Sequence, residues 1–401
     1  MKSVIVLDGH IKSALSAVRA LGVEGFTVSV GAERTTAMGM YSRYAQHGFV
    51  YPSPYTDRDG FVAALRKEVE RLGGKPVVLT FSDATFLTLY AYRESLSDVI
   101  TMVYPEEMSI EIAFDKAATY SLARVSGVPT ITTYTPETFE ELHTIAEALT
   151  YPAVLKSRRS VTWKDGVGIF GTASFVHSAK ELEQKFATQK QTLGEAPLIQ
   201  VFVEGEEYGV EMLAEKGKMY AQVVHHRIRS LSPTGGASVL KEVMYEGDLK
   251  NILITYAEKL VEKLSWTGPI MVEFKVDADT REVYLMEING RFWGSLPLSI
   301  FAGVNMPVLY TRTLLGRAVP YPPLVGREGV MSIHRLGDVA HLVRVLFGRS
   351  SMRNKLYPSR MSAIRDFLSV PKGVHHDVWS FHDIKPAVME IIDILKTKLW
   401  K

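Results

Sequence analysis

One stretch constrains this chain more than any other. Segments 268–276 and 283–289 alternate apolar and polar residues around Asp277-Ala278-Asp279-Thr280, a turn composition. They predict a β-hairpin. Closure about Thr280 sets Glu273 directly opposite Glu287. Asn289, two residues on, shares their face, because strand side chains alternate with period two. The other face is Ile270, Val272, Phe274, Val276, Tyr284, Met286 and Ile288, a core face. Facing carboxylates repel, so the pair costs stability unless something cationic sits between them. Two carboxylates and an amide oxygen form a hard ligand set suited to Mg²⁺ shared with phosphates. Arg291 follows as a fixed fork for a phosphate or carboxylate. An exposed hairpin with solvated acids is the plain alternative, and the hairpin alone does not decide between them.

Bulk properties narrow the frame. With 401 residues and 46% hydrophobic content, the chain can build two or three packed layers or subdomains. Lys+Arg 46 against Asp+Glu 44 gives a net charge of +2. That balance argues against nucleic acid as the main partner. The absence of cysteine rules out disulfides, thiolate metal sites and cysteine nucleophiles. The start, Met1-Lys2-Ser3-Val4-Ile5-Val6-Leu7-Asp8, has only four apolar residues before an acid, which does not make a signal peptide. No apolar run is long enough for a membrane span. The expected location is cytoplasmic.

The first 110 residues alternate strand and helix. Val4–Leu7 and Val28–Val30 read as strands, with Lys12–Leu21 helical between them and ending at Gly22. Phe61, Val62, Leu65, Val69 and Leu72 mark a helix face closed by Gly73-Gly74. Val77–Phe81 and Val99–Val103 read as further strands. A βαβ series implies a mostly parallel sheet. The first turn, Asp8-Gly9-His10-Ile11-Lys12-Ser13, lacks the glycine pattern of a dinucleotide site. Asp83 lies where open α/β sheets bind ligands, and it equally fits a helix N-cap.

From Asp115 the pattern changes. Asp115–Ser126 reads as a helix ended by Gly127 and Pro129, and Thr135-Pro136 as the start of another. Tyr151–Lys156 is a strand ending in a lysine. The loop 157–171 that follows is basic and carries Gly166, Gly168 and Gly171. It suits a flexible cover over phosphates with backbone N–H donors, or an ordinary hairpin connection. It is no Walker loop, since no Gly-Lys-Ser/Thr opens a helix. Then Leu198–Val203 forms an apolar strand running into the acidic turn Glu204-Gly205-Glu206-Glu207.

The order of these parts is a lysine strand, a glycine loop, an apolar strand with an acid seven residues past Gln200, and a Glu…Glu-x-Asn-x-Arg hairpin. It resembles the ATP-grasp superfamily, and most of all its carboxylate–amine ligases. The resemblance covers roughly residues 1–316. It implies an α/β plus α+β architecture. An N-terminal parallel-sheet domain (1–110) precedes two ATP-grasp subdomains, 111–197 with the lysine strand and glycine loop and 198–323 with the metal site. A partly helical C-terminal extension follows (324–401). It further implies that Lys116 and Lys156 contact ATP phosphates and adenine, with the Gly166 and Gly168 loop above. Gln200, Val201, Phe202 and Val203 match the strand against which adenine lies. The family often has an acid where this chain has Gln200. Glu207 matches the ribose acceptor. Glu273, Glu287 and Asn289 match the Mg²⁺ ligands, with Mn²⁺ as a substitute, and Arg291 the arginine near the transferred phosphate.

Arg229 ends a strand beside the mobile-looking Gly235-Gly236, and either steadies an acceptor carboxylate or is a solvated edge-strand arginine. His225 and His226 alternate faces, so neither is assigned. In the tail, His375-His376-Asp377 and His382-Asp383 read as incidental loop histidines. Pro386–Trp400 reads as an amphipathic helix with Val388, Met389, Ile392, Leu395 and Leu399 inward. The activity implied by the resemblance is ATP-dependent ligation of a small-molecule carboxylate to an amine through an acyl phosphate, releasing ADP. A homodimer is compatible with it. A kinase-type phosphotransferase and a nucleotide-binding regulatory protein are the alternatives.

Overall fold

The computed structural model describes residues 2–352 and 356–399. Its first sheet is four-stranded and parallel: His47–Val50, Thr27–Ala32, Ser3–Val6 and Val77–Leu79 in that spatial order. The strands Thr27–Ala32, Ser3–Val6 and Val77–Leu79 are largely buried and apolar on both faces, as a sheet covered by helices requires. Helix Lys12–Val23 covers one face and helix Arg58–Leu72 the other. Arg58–Leu72 is capped by Asp57, which accepts from the Gly60 N–H, and ends at Gly73 with φ 66°. Val99–Val103 does not form the expected strand. Only Thr101 bridges Val77, because Thr101 meets the sheet at its open edge and the chain then leaves toward Pro105. His47–Val50 was not expected, being half polar.

A second, antiparallel sheet orders Thr133–Tyr134, Leu198–Val201, Ala153–Lys156 and Ala173–Val176. Helices Phe139–Ala148 and Ala179–Leu193 cover it through Leu142, Ala146, Leu182 and Phe186. The first of them starts later than Thr135-Pro136 implies. Thr138 is its cap and accepts from Glu141 N–H, while the Glu141 carboxylate accepts from Glu137 N–H. That reciprocal pair outcompetes a proline start.

The largest sheet runs Val283–Asn289, Gly268–Asp277, Gly205–Glu215, Lys218–Ser232, Gly235–Val243, Met331–Ile333, His375–His376. Helix Asp248–Lys263 packs Leu253, Ala257, Leu260 and Val261 on its outer face, against Val210, Met212, Val272 and Phe274. Each large apolar side chain buried there contributes about 1.5–3 kcal/mol. The segment after the acid hairpin (Phe292, Trp293, Leu296, Leu298, Met306, Val308) shares one core with Val4, Val6, Val18 and Leu21 of the first sheet and its helix. This shared core seats the parallel sheet against the acid hairpin.

The last part of the chain is wired back to the beginning. Asp377 Oδ2 accepts from Lys12 Nζ and Lys241 Nζ, both at 2.7 Å and all three buried. Asp383 pairs with Arg19, and Asp393 with Arg34 and Thr36. Helix Lys385–Leu399 docks as expected, but on a different face. Pro386, Ala387 and Glu390 are buried, whereas Val388 and Leu395 are 49% and 51% exposed. Polar anchors decide the rotation: the Arg34–Asp393 and His334–Glu390 pairs turn that face inward. The expected end at Trp400 and the Leu399 side chain lie outside the described residues. Among the described residues, no helix is long and apolar enough to cross a membrane.

Candidate functional site

The acid hairpin forms as expected up to one residue. Glu273 stands opposite Glu287, Val272 opposite Ile288 and Met271 opposite Asn289. Between Glu273 and Phe274 the register slips, and Phe274 pairs with Leu285. The extra residue is Met286, a β-bulge that resets the alternation. Val283 and Leu285 are therefore buried, while Tyr284 and Met286, expected in the core, are half-buried. Met286 instead offers its carbonyl to the Tyr120 hydroxyl at 2.7 Å. Gly290 follows because a Cβ there would lie 2.5 Å from the buried Trp266 ring.

Asn289 Nδ2 lies between the two acids, donating to Glu273 Oε1 at 3.0 Å and Glu287 Oε1 at 3.2 Å. The second oxygen of Glu273 accepts from Arg227 Nη2 at 2.8 Å, and Arg227 Nη1 donates to Glu207 Oε2 at 2.7 Å. Lys275 reaches Glu207 at 3.5 Å. Arg291 donates from Nη2 to Asn289 Oδ1 and from Nε to Asp83. Burial pushes the Glu273 carboxyl up, and Arg227 does not fully offset burial and the two neighbouring glutamates. Burial also pushes Glu287 up, but Lys116, the Asn289 amide and Lys156 outweigh it, and its net shift is downward. Two facing acids with opposite tendencies, joined to an amide, fit a hard divalent cation.

The opposite wall carries the lysines. Asp115 caps helix Lys116–Val125, so Lys116 sits in its first turn with Nζ 3.7 Å from Glu287 Oε2. Lys156 ends strand Ala153–Lys156. Its Nζ donates to Tyr120 Oη at 2.6 Å and Gln200 Oε1 at 2.9 Å. Burial, with the Lys116 charge adding to it, brings Lys156 down to about 7. Gln200 Nε2 donates to Thr133 Oγ1, so the Gln200 amide is held at both ends. Val201 ends the strand, with its N–H on Thr132 carbonyl, and Phe202 meets Phe175 edge-on at 5.7 Å. Val203 is half-buried before Gly205.

The glycine loop is a hairpin, Val161–Lys164 and Val167–Phe170. Gly166 occupies its exposed turn with φ 81°. Gly168 approaches Tyr55 so closely that a Cβ would meet its ring at 2.7 Å, and its N–H donates to the Tyr55 carbonyl. The loop thus rests on the first-sheet region. The adjoining Arg158 and Arg159 both pair with Asp115.

At Arg229 the strand pairs on one side, with Leu240, because the pairing with Gly205–Glu215 stops at Glu207 and Arg227; its Nε faces the buried Asp338 at 3.2 Å rather than solvent. His225 turns inward to Glu211 at 3.1 Å, and His226 outward to stack on Tyr208. A cavity of about 680 Å³ extends from Glu207 and Lys275 past Arg227 and Arg229 to Leu356 and Ala363. In the tail, His375 stacks on Phe301.

Sequence reasoning missed Arg227 and Tyr120. Arg227 was findable: it shares the face of His225, two residues before it in the same strand, and stands opposite Glu207. Tyr120 had no signal, since its role depends on the bulge. Asp83 was weighed as a cap, but Ser82 takes that role.

Residues 195–334 match a family model described as ATP-grasp in the biosynthetic pathway with Ter operon. The carbamoyl phosphate synthase arginine-specific large chain of Geobacillus stearothermophilus is 23% identical over 287 residues, 67% of this chain and 26% of that one. The match therefore spans about a quarter of that relative's length. The biotin carboxylase domain of Hydrogenobacter thermophilus 2-oxoglutarate carboxylase, solved with MgADP, ADP and bicarbonate, superposes with a TM-score of 0.65 at 17% identity. That likeness covers 83% of this chain and 73% of the other. The L-amino acid ligase of Bacillus licheniformis superposes with a TM-score of 0.60 at 17% identity, covering 80% and 75%.

Proposed function

We propose, from the premise that this is an ATP-grasp chain, that it is an ATP-dependent carboxylate–amine ligase. The observation that carries the reading is one continuous polar network. It joins Lys116 to Glu287, Asn289 and Glu273, then to Arg227 and Glu207, with Arg291 on Asn289. ATP needs cations on its phosphates, an apolar slot for the ring and an acceptor for the ribose diol. Lys116 and Lys156 supply the first, Val201, Phe202 and Val203 the second, and Glu207 the third. Glu273, Glu287 and Asn289 are the residues that would hold Mg²⁺, or Mn²⁺ in its place, which when bound neutralises phosphate charge. Gly166 and Gly168 place the loop that excludes water, which matters because acyl phosphates hydrolyse.

In this reading a carboxylate oxygen of the first substrate attacks the γ-phosphorus, the bond to the β,γ-bridging oxygen breaks, and ADP leaves. The amine nitrogen then attacks the acyl carbon, inorganic phosphate leaves with the C–O electron pair, and the nitrogen loses a proton. Arg291 and the lysines balance the charge that spreads over the phosphoryl oxygens. Arg229, held by Asp338, steadies the carboxylate substrate in the cavity that opens beside it. The chain's own contribution is positioning and charge, with no covalent nucleophile. The L-amino acid ligase among the similar structures supports the amine half of the reading.

ADP release screened against carboxylates and amines, with product masses measured, tests it. Amide formation is expected. A phosphoester formed without any amine dependence would identify a phosphotransferase instead. Saturating Mg-ATP at about 100 times its dissociation constant should add roughly 2.7 kcal/mol of stability. A melting temperature that ignores Mg-ATP and responds to NAD would overturn the nucleotide assignment.

A further inference from the structure

Asp83 opens helix Asp83–Ala91 at the carboxyl end of strand Val77–Leu79. In the order of the parallel sheet, Ser3–Val6 has Thr27–Ala32 on one side and Val77–Leu79 on the other. The chain reverses direction across the sheet between them, the place where open α/β sheets hold ligands. Ser82, not Asp83, caps the helix: its hydroxyl accepts from Thr85 N–H at 3.2 Å. The Asp83 carboxylate is thereby free for another task. Its Oδ1 accepts from Arg291 Nε at 2.7 Å, across 208 residues of sequence.

A guanidinium has five N–H donors in a fixed plane. Three of those of Arg291 have protein partners: Nε on Asp83, Nη1 on the Phe292 carbonyl at 3.1 Å and Nη2 on Asn289 Oδ1 at 3.1 Å. One N–H remains on each terminal nitrogen, a two-pronged donor for a phosphoryl or acyl-phosphate oxygen. The pair is largely shielded from water, the Arg291 and Asp83 side chains being 18% and 10% exposed. Phe81 and Phe292, 3% and 1% exposed, stack at 5.4 Å with their planes 19° apart, on either side of the same junction. A charge in such a place needs a partner, and its partner fixes its orientation. Without Asp83 the two remaining contacts, a carbonyl and an amide oxygen, are both within two residues of Arg291 and travel with it.

We infer that Asp83 is a positioning residue for Arg291: it fixes the guanidinium from the first-sheet region so that the two free N–H groups face the reacting phosphoryl oxygens. The inference rests on the ligase reading for the identity of those oxygens, and not for the pairing itself. It also gives the first-sheet region a part in the reaction, since the arginine is complete only when that region is docked. The Tyr55 backbone and ring hold the glycine-loop hairpin from the same region.

Asp83→Asn is nearly isosteric and keeps the cap residue. Loss of an oriented charged hydrogen bond should lower kcat about ten- to a hundredfold while KM for ATP stays within about twofold. Asp83→Glu should recover part of the loss. The melting shift produced by MgADP alone should persist in Asp83→Asn, and the extra shift from adding aluminium fluoride, a mimic of the transferred phosphoryl group, should shrink. A structural role alone would lower stability and leave that increment intact. Wild-type kcat in Asp83→Asn overturns the inference. If the wild-type chain releases no ADP with any substrate pair, the ligase reading fails by itself. The pairing is then read from solvent exchange of the Arg291 Nε–H by NMR, its resonance identified by Arg291→Lys. Exchange should quicken in Asp83→Asn, and an unchanged rate overturns the inference independently of turnover.

Discussion

Two hairpins carry residues assigned to the candidate site, and they are held in opposite ways. The acid hairpin, Gly268–Asp277 with Val283–Asn289, forms one end of the large sheet, with Val272, Phe274 and Leu285 fully buried on its outer face. The glycine-loop hairpin, Val161–Lys164 with Val167–Phe170, pairs with nothing but itself, and Val167 and Phe170 are 48% and 61% exposed. Its hold on the body is the Gly168–Tyr55 hydrogen bond, the Tyr55–Phe170 ring pair at 4.1 Å, Arg58 over Trp163 at 5.0 Å, and hydrogen bonds from Thr162 to Glu195 and from Lys164 to the Gln191 carbonyl, with further polar links at its base. A two-stranded ribbon without a sheet behind it is marginal in water. The difference is one of task. Like charges held face to face need a rigid floor, and in the ligase reading a cover that admits ATP needs to let go.

The sharpest test of the rigid side is charge removal. Glu273→Gln and Glu287→Gln should each cut Mg-dependent ADP release at least about a thousandfold, since each removes a ligand whose counter-charge the phosphates need. Their effects on the apo protein should differ in size. Glu273→Gln takes a counter-charge from the largely buried Arg227, leaving Glu207 as its remaining carboxylate partner, and should melt clearly lower than wild type. The fold lowers Glu287, so its stabilising contribution is present at neutral pH and lost as the pH falls through its folded value. Glu287→Gln should melt slightly lower. Equal shifts in both variants would contradict the asymmetry.

Next in size is the lysine wall. Lys156→Ala should weaken ATP binding on the order of ten- to a hundredfold, with the fold intact. Wild-type affinity in that variant would show that the lysine is not at the nucleotide. Lys156 is brought down to about 7 by burial and the Lys116 charge, and phosphates would raise it again. Binding at pH 8 should then take up a proton, and affinity should fall as the pH rises above about 7, by up to about tenfold per pH unit. Titration calorimetry in buffers of different ionisation enthalpy reads this directly. Uptake near zero at pH 8 would mean the lysine is already charged.

The smallest effect belongs to the glycine-loop hairpin. Phe170→Ala removes an aromatic pair worth about 0.5–1.5 kcal/mol, from a ribbon that adds little to global stability. The melting temperature should scarcely move, while proteolysis near Asp165-Gly166 should quicken and Mg-ATP should suppress it less. A large drop in melting temperature would place this hairpin in the rigid class and erase the contrast.

Period-two alternation made the facing pair Glu273 and Glu287 legible, and with it Asn289, because the strand sets those positions locally. The meeting of Lys116, Lys156 and Gln200 followed from the order of the motifs. The bulge at Met286 was not legible, since either strand could have absorbed an extra residue and only the Tyr120 hydroxyl beneath it favours one. Asp83 was ambiguous for a related reason. Adjacent Ser82 and Asp83 both suit a helix start, and which of them caps depends on where Arg291 lies in space. The Val388 and Leu395 face was misread because apolar periodicity carries no knowledge of Asp393 and Glu390, whose partners are at positions 34 and 334.

Asp377 also bears on the order in which the chain is made. Lys241, wholly buried in the large sheet, and Lys12, in the first helix, share one oxygen of a residue 136 positions beyond the former and 365 beyond the latter. Protein emerges from the ribosome amino end first, and its parts begin to fold as they appear. Until Asp377 arrives, two ammonium groups destined for the interior repel each other across the joint between the first sheet and the large one. The first sheet and the large one can each take shape early and share an apolar core, but the ionic part of their seating waits for Asp377, which is made after both.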